Sequence, residues 1–472
     1  MSETTVGLDP GDRSVTMPAG VLGRRARRDA MVRLCAGSAL WLSLLLVTYW
    51  WAAGGGIQAL AGWETGLTSA GRLAGLVASD LLLVQVLLMA RLPVLERPFG
   101  QDRLARQHRV VGFTSFTLMV AHVVLITWGY AGGQVVRFPA MIWSLTIDYP
   151  GMLLAAAGTA CLVMVVVTSI KAARRRIRYE SWHLLHLYAY LGVGLALPHQ
   201  LWSGQELVSS PAATVFWWTA WASTATAVLI WRVGVPVWRS ARHRLRVAAV
   251  VAEAPGITSI HVTGRELDRL SVEAGQFFSW RFLDRAGWTR AHPYSLSAAP
   301  DGRSLRLTVR SSGDDSREMA DLVIGTRVMV EGPYGRLAPR ARSRTKIALI
   351  GAGVGVTPLR ALAEELAYDP GEVVLLQRYT EHPLFVHELQ ELERHRGLQL
   401  LWLSGPRRAP DSWLGEHAGT ASDVGALRFW VPDIADRDVY VCGPTAWADN
   451  VRRTLLAAGL PPEQLHLEIF QW

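Results

Sequence analysis

Residues 346–366 read KIALIGAGVGVTPLRALAEEL, in which an apolar run, a glycine-rich turn and a helical pattern follow one another directly. The run Lys346–Ile350 is typical of a buried strand, and Leu359–Leu366 has the pattern of a helix. Thr357 and Pro358 suit the N-cap and the first residue of that helix, whose N-terminus favours an anion. The residues predicted to bind a nucleotide phosphate are Gly351, Gly353, Gly355, Thr357 and Pro358.

The segment before this strand consists of short stretches in which apolar and polar residues alternate. Such alternation is typical of half-buried β-strands, and glycine, proline and aspartate mark turns between them. The predicted strands are Arg246–Ala252, Thr258–Val262, Gln276–Phe282, Ser304–Arg310 and Arg327–Glu331. They predict a small antiparallel β-barrel that precedes an α/β nucleotide-binding domain.

The first half of the 472-residue chain holds six apolar stretches of about 20 residues. An α-helix of that length crosses the hydrocarbon core of a bilayer at about 1.5 Å per residue. The predicted spans are roughly Met31–Trp51, Gly71–Ala90, Val110–Tyr130, Tyr149–Ile170, Trp182–Leu201 and Ala213–Val235. The fold class is therefore predicted as a multi-domain membrane protein with a six-helix transmembrane bundle.

Arginine residues predict the orientation of this bundle. The net charge is +9, and its whole excess lies within residues 1–240, in the N-terminal tail, in alternate loops and after the last span. The positive-inside rule places these segments and both termini in the cytoplasm. The charge therefore needs no nucleic acid as a partner. We interpret the scarcity of lysine as bacterial genome composition, and expect a multi-pass protein of the bacterial inner (plasma) membrane.

Five histidines lie within the predicted spans, where ionisable side chains are costly and usually functional. His108 and His122 lie within about 40° of one helix face and about 21 Å apart along the axis. On the fifth span, His186 and His199 are about 19.5 Å apart. Imidazoles at two depths on two helices are typical of two haem groups stacked across a bilayer.

The predicted iron ligands are His108 paired with His186 near the cytoplasm, and His122 paired with His199 near the outside. His183 is held in reserve as an alternative ligand or a contact of one. On an ideal helix the two ligands of the fifth span are about 220° apart, and Pro198 is a place where the helix could distort. The three cysteines of the chain are too few for a cysteine-ligated iron–sulfur cluster.

Four further motifs lie in the second half: His292-Pro293-Tyr294-Ser295, Gly313-Asp-Asp-Ser316, Glu331-Gly-Pro-Tyr-Gly335 and Cys442-Gly443-Pro444. With the glycine-rich turn and the stretches Gly100–His108 and Glu180–His199, they resemble the membrane ferric reductase and NADPH oxidase family. The cytoplasmic half of that family is similar to ferredoxin–NADP reductase. The resemblance covers nearly everything after residue 30 and implies FAD, two haem b groups and NADPH as cofactors, with NADH possible.

The resemblance also implies roles for single residues. At the flavin, His292 would meet the pyrophosphate, Tyr294 would pack on the isoalloxazine and Ser295 would hydrogen-bond near flavin N5, with Pro293 as a further cofactor-binding residue of the motif. The remaining implied contacts are Gly313 and Ser316 with the FAD phosphates, Cys442, Gly443 and Pro444 with the nicotinamide, and Arg72 with the outer haem. Near the C-terminus, Phe470 and Trp472 compete for the role of the aromatic side chain that covers the flavin. The predicted catalytic residues are Ser295, Cys442, Phe470 and Trp472.

The choice of nicotinamide nucleotide depends on the residues after the predicted strand Val373–Leu376. An acidic residue there would bind the ribose 2′-hydroxyl of NADH, but the sequence has Gln377-Arg378-Tyr379. Arg378 is instead suited to the 2′-phosphate of NADPH, with Arg407 and Arg408 in reserve.

The sequence thus predicts an enzyme that moves electrons outward from cytoplasmic NAD(P)H, through FAD and two haems, to oxygen or a ferric chelate. Ile126 stands where oxygen-reducing members of the family carry a polar residue, so both acceptors stay open. The alternatives are a membrane-anchored NAD(P)H–flavin reductase without haem and a proton-relaying transporter. The predicted domains are a disordered tail (1–29), the haem domain (30–238), the FAD barrel (239–341) and the nucleotide domain (342–472).

Overall fold

The computed structural model describes residues 19–170, 173, 177, 179–204, 210–284, 288, 290–311, 318–335 and 337–470. Two compact units make up the chain, one formed by Asp29–Gly234 and the other containing Val235–Trp472. The described part of the N-terminal half is helical, and the C-terminal half carries all the described strands.

The N-terminal half consists of helices joined by short connections. They are Ala19–Ala53 (α1), Gly56–Ala59 (α2), Trp63–Met89 (α3), Pro93–Phe99 (α4), Gln101–Tyr130 (α5), Phe138–Asp148 (α6), Met152–Ser169 (α7), Tyr179–Ser203 (α8) and Pro211–Ala227 (α9). Among the described residues, five helical stretches are long and apolar enough to cross a membrane. These are Arg27–Ala53, Trp63–Met89, Arg103–Tyr130, Met152–Ser169 and Pro211–His243.

Three features of this half differ from the expectations. Helix α1 begins at Ala19, so the described end of the predicted disordered tail is helical, in keeping with its alanine and arginine content. Helix α6 was not predicted. Helix α8 is 25 residues long, but its histidine, proline and glutamine residues lower its mean hydropathy, and it is not among the five apolar stretches.

Small residues let these helices approach closely. A Cβ atom on Gly158 of α7 would lie 2.7 Å from the carbonyl oxygen of Gly192 on α8, and one on Gly112 of α5 would lie 2.5 Å from Oε1 of Gln85 on α3. Packing on small residues is a common way for helices to associate in membranes, where burial from water supplies no driving force.

The second unit begins with helix Val235–His243 (α10). The Ser240 hydroxyl accepts a hydrogen bond from the backbone nitrogen of Val330, and the Arg239 guanidinium donates one to the carbonyl of Gly332. Six strands follow: Arg246–Ala254 (β1), Ile257–Thr263 (β2), Phe277–Phe282 (β3), His292–Ser295 (β4), Ser304–Arg310 (β5) and Val328–Tyr334 (β6). They form two antiparallel sheets, ordered β1-β2-β5 and β4-β3-β6. Two isolated bridges, Arg246–Arg327 and Leu296–Leu307, join strands of the two sheets.

The core of these sheets contains Phe278, Trp280 and Phe282 on the inward face of β3. The predicted strands agree with five of the observed ones to within a few residues, whereas β4 was not predicted as a strand. Its residues His292 to Ser295 include a proline, which explains why a propensity pattern does not reveal it.

The rest of the unit is a parallel sheet with helices on both faces. Its strands are Ile347–Ala352 (β7), Val373–Arg378 (β8), Gln399–Leu403 (β9), Asp438–Pro444 (β10) and Leu465–Phe470 (β11), in the order β11-β10-β7-β8-β9. Its helices are Val356–Glu365 (α11), Val386–Arg396 (α12), Asp423–Trp430 (α13) and Thr445–Ala457 (α14). One apolar cluster packs on each face of the sheet. In such sheets ligands bind at the carboxyl ends of the strands.

Candidate functional site

Two histidines of α5 are held by backbone carbonyls of α3. The Nδ1 of His108 lies 3.0 Å from the carbonyl oxygen of Gln85, and the Nδ1 of His122 lies 2.8 Å from that of Gly71. A carbonyl only accepts, so both imidazoles donate from Nδ1 and turn the lone pair of Nε2 away from α3. Metal-binding histidines are commonly fixed in this way.

The contact of His122 with α3 depends on a glycine. A Cβ atom on Gly75 would lie 2.5 Å from Nδ1 of His122. Any larger residue at this position would therefore push the imidazole away from the carbonyl of Gly71. Arg72, the predicted contact of the outer haem, follows Gly71 on the same turn of α3 and is half-buried.

On α8, the ring of His186 lies beside the ring of His108. Their ring centres are 6.1 Å apart. Nδ1 of His186 lies 3.4 Å from the hydroxyl oxygen of Ser169, which also accepts a hydrogen bond of 3.2 Å from the indole of Trp182. The ring of Trp182 is 5.0 Å from that of His186. His186 is thus positioned through Nδ1, as His108 is.

His199 lies near enough to His122, and His183 near enough to His186, for a charge on one ring to influence the other. The chain around His199 is tightly packed, because a Cβ atom on Gly151 would lie 2.9 Å from its backbone nitrogen. Helix α8 continues through Pro198 without a break. The structure therefore places the rings of His108 and His186 side by side and His199 near His122, despite the large rotation between His186 and His199 on α8.

These residues fit haem iron. Two imidazoles that bind one metal ion from opposite sides, each through a nitrogen about 2 Å away, have ring centres roughly 6 Å apart. The separation of the His108 and His186 rings, 6.1 Å, agrees with this value. Neutral imidazole with Nδ1 engaged is also the form that binds iron through Nε2.

In the second unit, the predicted flavin residues lie on β4. Its residues pair with β3 so that Tyr294 is opposite Phe278 and Ser295 is opposite Phe277. The rings of His292 and Tyr294 are stacked at 6.0 Å. Pro293 is exposed. This strand therefore presents two parallel rings and a hydroxyl at one edge of the sheet.

The hydroxyl of Ser295 has an unusual environment. Ser295 is 3% exposed, and its Oγ makes no hydrogen bond to any residue that the structure describes. A buried hydroxyl without a partner is costly. It is the kind of group that a bound flavin would satisfy.

The glycine-rich turn lies at the carboxyl end of β7. Gly353 has a φ of +54°, and a Cβ there would meet nothing within 4 Å, so the turn is open on that side. Gly355 packs directly on the carbonyl of Cys442, where a Cβ would clash. Gly351 pairs with Cys442 across β7 and β10. The two predicted nicotinamide motifs are thus in contact at the carboxyl ends of two neighbouring inner strands, β7 and β10.

The prediction that Thr357 caps the helix is wrong. Helix α11 begins at Val356 with Gly355 as its N-cap, and the Thr357 hydroxyl donates a hydrogen bond of 2.8 Å to the carbonyl of Val354. The helix starts earlier than the sequence suggests because the glycine turn winds directly into it. Pro358 accordingly lies inside the first turn and is buried, where its missing N–H leaves no helical bond unmade.

Cys442 is fully buried, and this burial, reinforced by the charge of Glu468, raises the pKa of its thiol well above the usual value. Cys442 and Glu468 are partners in adjacent parallel strands. Gly443 and Pro444 follow, with Pro444 as the N-cap of α14. The thiol is therefore protonated at neutral pH, so Cys442 is not suited to act as a nucleophile.

Arg378 ends β8 and is 7% exposed. It donates a hydrogen bond of 3.1 Å to the carbonyl of Gly405, and its Nε makes no hydrogen bond to a described residue. Burial, together with the nearby charge of Arg407, lowers the pKa of this guanidinium. Arg408 instead bonds the carbonyls of Gly419 and Ala421. Arg378 with Arg407 is thus a cationic site that favours an anion.

Four predicted residues have no described side chain. Gly313, Ser316 and Trp472 lie outside the described residues, and Phe470 is described only as the last residue of β11.

The sequence did not predict several residues of the site. Ser169 and Trp182 position His186, and the carbonyls of Gln85 and Gly71 position the histidines of α5. The carbonyls carry no side-chain signal at all. Gly75, which lies among apolar residues, could have indicated this contact, because glycine within a span often marks the close approach of two helices.

Comparisons with known proteins agree with this division. Residues 74–197 match the family described as ferric reductase like transmembrane component, and residues 349–453 match the oxidoreductase NAD-binding domain. The first match contains the helices that bear His108, His122 and His186, and the second contains the glycine-rich turn and Cys442.

Similar curated proteins match about half of the chain. It is 33% identical over 244 residues to the ferredoxin reductase component of 3-ketosteroid-9-alpha-monooxygenase from Mycolicibacterium smegmatis, covering 48% of this chain and 65% of that protein. A flavohemoprotein from Pseudomonas aeruginosa is 32% identical over 242 residues, covering 49% and 60%. The chain thus spans less than two thirds of the length of these relatives.

Among solved structures, the flavohem-like FAD/NAD binding domain of nitric oxide dioxygenase from Vibrio cholerae aligns with 48% of this chain and 99% of its own, at 24% identity and a TM-score of 0.39. The family matches carry the assignment. They show a segment similar to a ferric reductase-like transmembrane component, followed by a segment similar to an oxidoreductase NAD-binding domain.

Proposed function

We propose that this chain passes electrons from cytoplasmic NAD(P)H, through FAD and two b-type haems, to an acceptor on the other side of a bacterial membrane. The acceptor is oxygen, which would become superoxide, or a ferric chelate. When bound, the nicotinamide and flavin supply hydride transfer and the haems supply one-electron transfer.

The observation that carries the proposal is the pair His108 and His186, the proposed ligands of the haem nearer the cytoplasm. His108 and His186 face each other at a ring separation of 6.1 Å, and each has Nδ1 directed at a fixed oxygen. Two imidazoles at this separation, each held through Nδ1, are suited to hold iron through Nε2.

His122 and His199 would hold the second haem, with Arg72 beside it. The hydrogen bond from His122 to Gly71 fixes the tautomer, so Nε2 is the nitrogen that would bind iron. The two carbonyl-held histidines are 14 positions apart on a continuous helix, which separates the two levels by about 21 Å. Such a spacing keeps the two groups at different depths of the bilayer.

At the other end of the route, β4 and the glycine turn would hold the two dinucleotides. Tyr294 offers a flat ring, and Ser295 offers its hydroxyl to a flavin atom. Cys442 stays protonated and lies against Gly355 of the turn. Arg378 offers its guanidinium to a 2′-phosphate, which favours NADPH over NADH.

The proposal includes a membrane topology. Helix α8 carries two of the four iron ligands and would be a sixth span beside the five apolar ones, with both termini in the cytoplasm. The two antiparallel sheets would close as the FAD-binding barrel. The proposed domains are 1–29, 30–238, 239–341 and 342–472.

A reduced-minus-oxidised spectrum of the purified chain with NADPH tests the proposal. We expect bands of low-spin b-type haem that appear on adding NADPH, both in air and under nitrogen. Consumption of oxygen identifies oxygen as the acceptor, and reoxidation of haem by ferric citrate under nitrogen identifies ferric iron. Flavin absorbance without a haem band would overturn the proposal and favour the haem-free reductase.

A further inference from the structure

Four charged side chains form a cluster where the β4–β5 region meets the helices of the nucleotide-binding sheet. Arg306 lies on β5, Arg360 and Glu364 lie on α11, and Glu388 lies on α12. The two arginine side chains are about 90% buried, and the two carboxylates are about 70% buried. Charges so far from water need partners.

Arg306 and Glu388 make the central contact. Both terminal nitrogens of Arg306 donate to the carboxylate of Glu388, each at 2.8 Å. The guanidinium also bonds the hydroxyl and the carbonyl of Ser297, at 3.2 and 2.8 Å, and lies 5.0 Å over the ring of Phe385. A two-pronged pair of this kind fixes both distance and angle.

Arg360 extends the cluster onto α11. Its Nε forms an ion pair of 2.6 Å with Glu388, and Nη1 bonds Glu364 and the carbonyl of Ser297. Glu364 in turn accepts a hydrogen bond of 2.6 Å from the backbone nitrogen of Ala299. Two arginines from different elements therefore converge on one carboxylate and one carbonyl.

The cluster lies a few residues from both cofactor motifs. Ser297 is two residues beyond Ser295, the buried hydroxyl proposed to meet the flavin. Arg360 is two residues beyond Pro358, on the helix that the glycine-rich turn enters. A rigid path of a few covalent bonds and two ion pairs thus joins the flavin strand to the nicotinamide helix.

A second contact fixes the other side of the same helix. Glu365 accepts a hydrogen bond from the backbone nitrogen of Ala274. A Cβ atom on Gly275 would lie 3.0 Å from Leu362, so the backbone there rests directly on α11. Helix α11 is thus held by two backbone segments, 274–275 and 297–299, which lie next to strands β3 and β4 of the antiparallel sheets.

The geometry points to Arg306, Arg360 and Glu388 as positioning residues for hydride transfer between nicotinamide and flavin, an inference that rests on the proposed function. In that step a hydride, one proton with two electrons, leaves nicotinamide C4 and bonds to flavin N5. The nicotinamide is oxidised and the flavin reduced, and no other reactant is needed. The cluster sets the distance between the two rings without touching either.

The test uses the full-length chain with Arg306→Lys and Glu388→Gln, and Asp433→Asn as the matched control. Asp433 pairs with the buried Arg437 at 2.7 Å, but within the nucleotide-binding part alone. The measurement is the single-turnover rate of flavin reduction at saturating NADPH. This rate constant does not depend on the folded fraction, which changes only the amplitude.

We expect both cluster variants to slow flavin reduction by about tenfold to a hundredfold, with Glu388→Gln the slower, and to leave the Kd for NADPH within about twofold. Hydrogen–deuterium exchange without nucleotide should rise at 297–299 and 356–365. Asp433→Asn should change neither. Unchanged rates and exchange in both cluster variants would overturn the inference, as would an equal loss in the control. Absence of flavin reduction by NAD(P)H in the parent chain would instead refute the proposed function.

Discussion

The histidine site of the membrane helices and the nucleotide site of the parallel sheet are assembled in different ways. His108 and His122 meet carbonyls 23 and 51 residues away in the chain, whereas the glycine turn and its helix are one continuous segment, 346–366. The first site therefore depends on how whole helices pack, and the second on local backbone geometry. We expect single substitutions to act through helix packing in the first and through the turn in the second.

Both sites nevertheless depend on glycine, for different reasons. Gly75 makes space for the side chain of His122, while Gly355 makes space for the backbone carbonyl of Cys442. A side chain can rotate away from an added methyl group at a modest cost, but a strand carbonyl cannot. This contrast separates the expected consequences of the two substitutions.

The largest expected effect is the loss of one haem. His122→Leu or His199→Leu should lower the haem content from about two to about one per chain, because leucine has no nitrogen to bind iron. Reduction of the outer acceptor should stop, while NADPH should still reduce FAD in the other unit. The measurement is the haem-to-protein ratio together with the rate of flavin reduction.

His183→Leu is the comparison on the same helix, because His183 is only the reserve ligand and belongs to neither proposed pair. It should keep both haems. Equal haem content in the His122 and His199 variants and in the parent would show that these residues are not a ligand pair.

The next effect separates the two uses of glycine. Gly75→Ala should lower outer-haem content severalfold, since the new methyl group lies 2.5 Å from Nδ1 of His122. Gly194→Ala on α8 is the control, because a Cβ there meets nothing within 4 Å. Gly355→Ala should keep both haems and weaken NADPH binding by about tenfold or more. Haem loss in Gly355→Ala would contradict the independence of the two sites.

The sequence predicted the nucleotide site better than the details of the membrane site. Glycines and a strand–turn–helix order are local, so residues 346–366 sufficed, apart from the misplaced cap at Thr357. In the membrane half, the histidine positions predicted that His108 and His186 would lie side by side, whereas the pairing of His122 with His199 stays a prediction. The carbonyl partners of His108 and His122 and the hydroxyl of Ser169 could not be predicted, because helix rotation and neighbour choice are set by packing over distant residues.

A smaller effect tests the nucleotide preference. Arg378→Ala should raise the KM for NADPH by about tenfold, the cost of a lost charge-assisted hydrogen bond, and leave that for NADH nearly unchanged. The Nε of this buried guanidinium has no partner among the described residues, so a phosphate would satisfy it. Arg408→Ala, whose guanidinium is occupied by backbone carbonyls, is the control. An equal rise in both KM values would remove Arg378 from the phosphate site.

The smallest expected effect is a dependence of stability on pH that belongs to the second unit. Burial, and then the charge of Arg306, lowers the pKa of His261 below its usual value of 6.5. Between that lowered pKa and 6.5 the folded state binds fewer protons than the unfolded state, so stability is full above pH 6.5 and falls as the pH drops through this window. The melting temperature reported by FAD release should therefore decrease from pH 7.5 to pH 5.5, and His261→Gln should reduce the decrease. Haem release from the first unit reports on different groups and should not respond to this substitution. A decrease that is equally large in His261→Gln would assign the pH dependence to another residue.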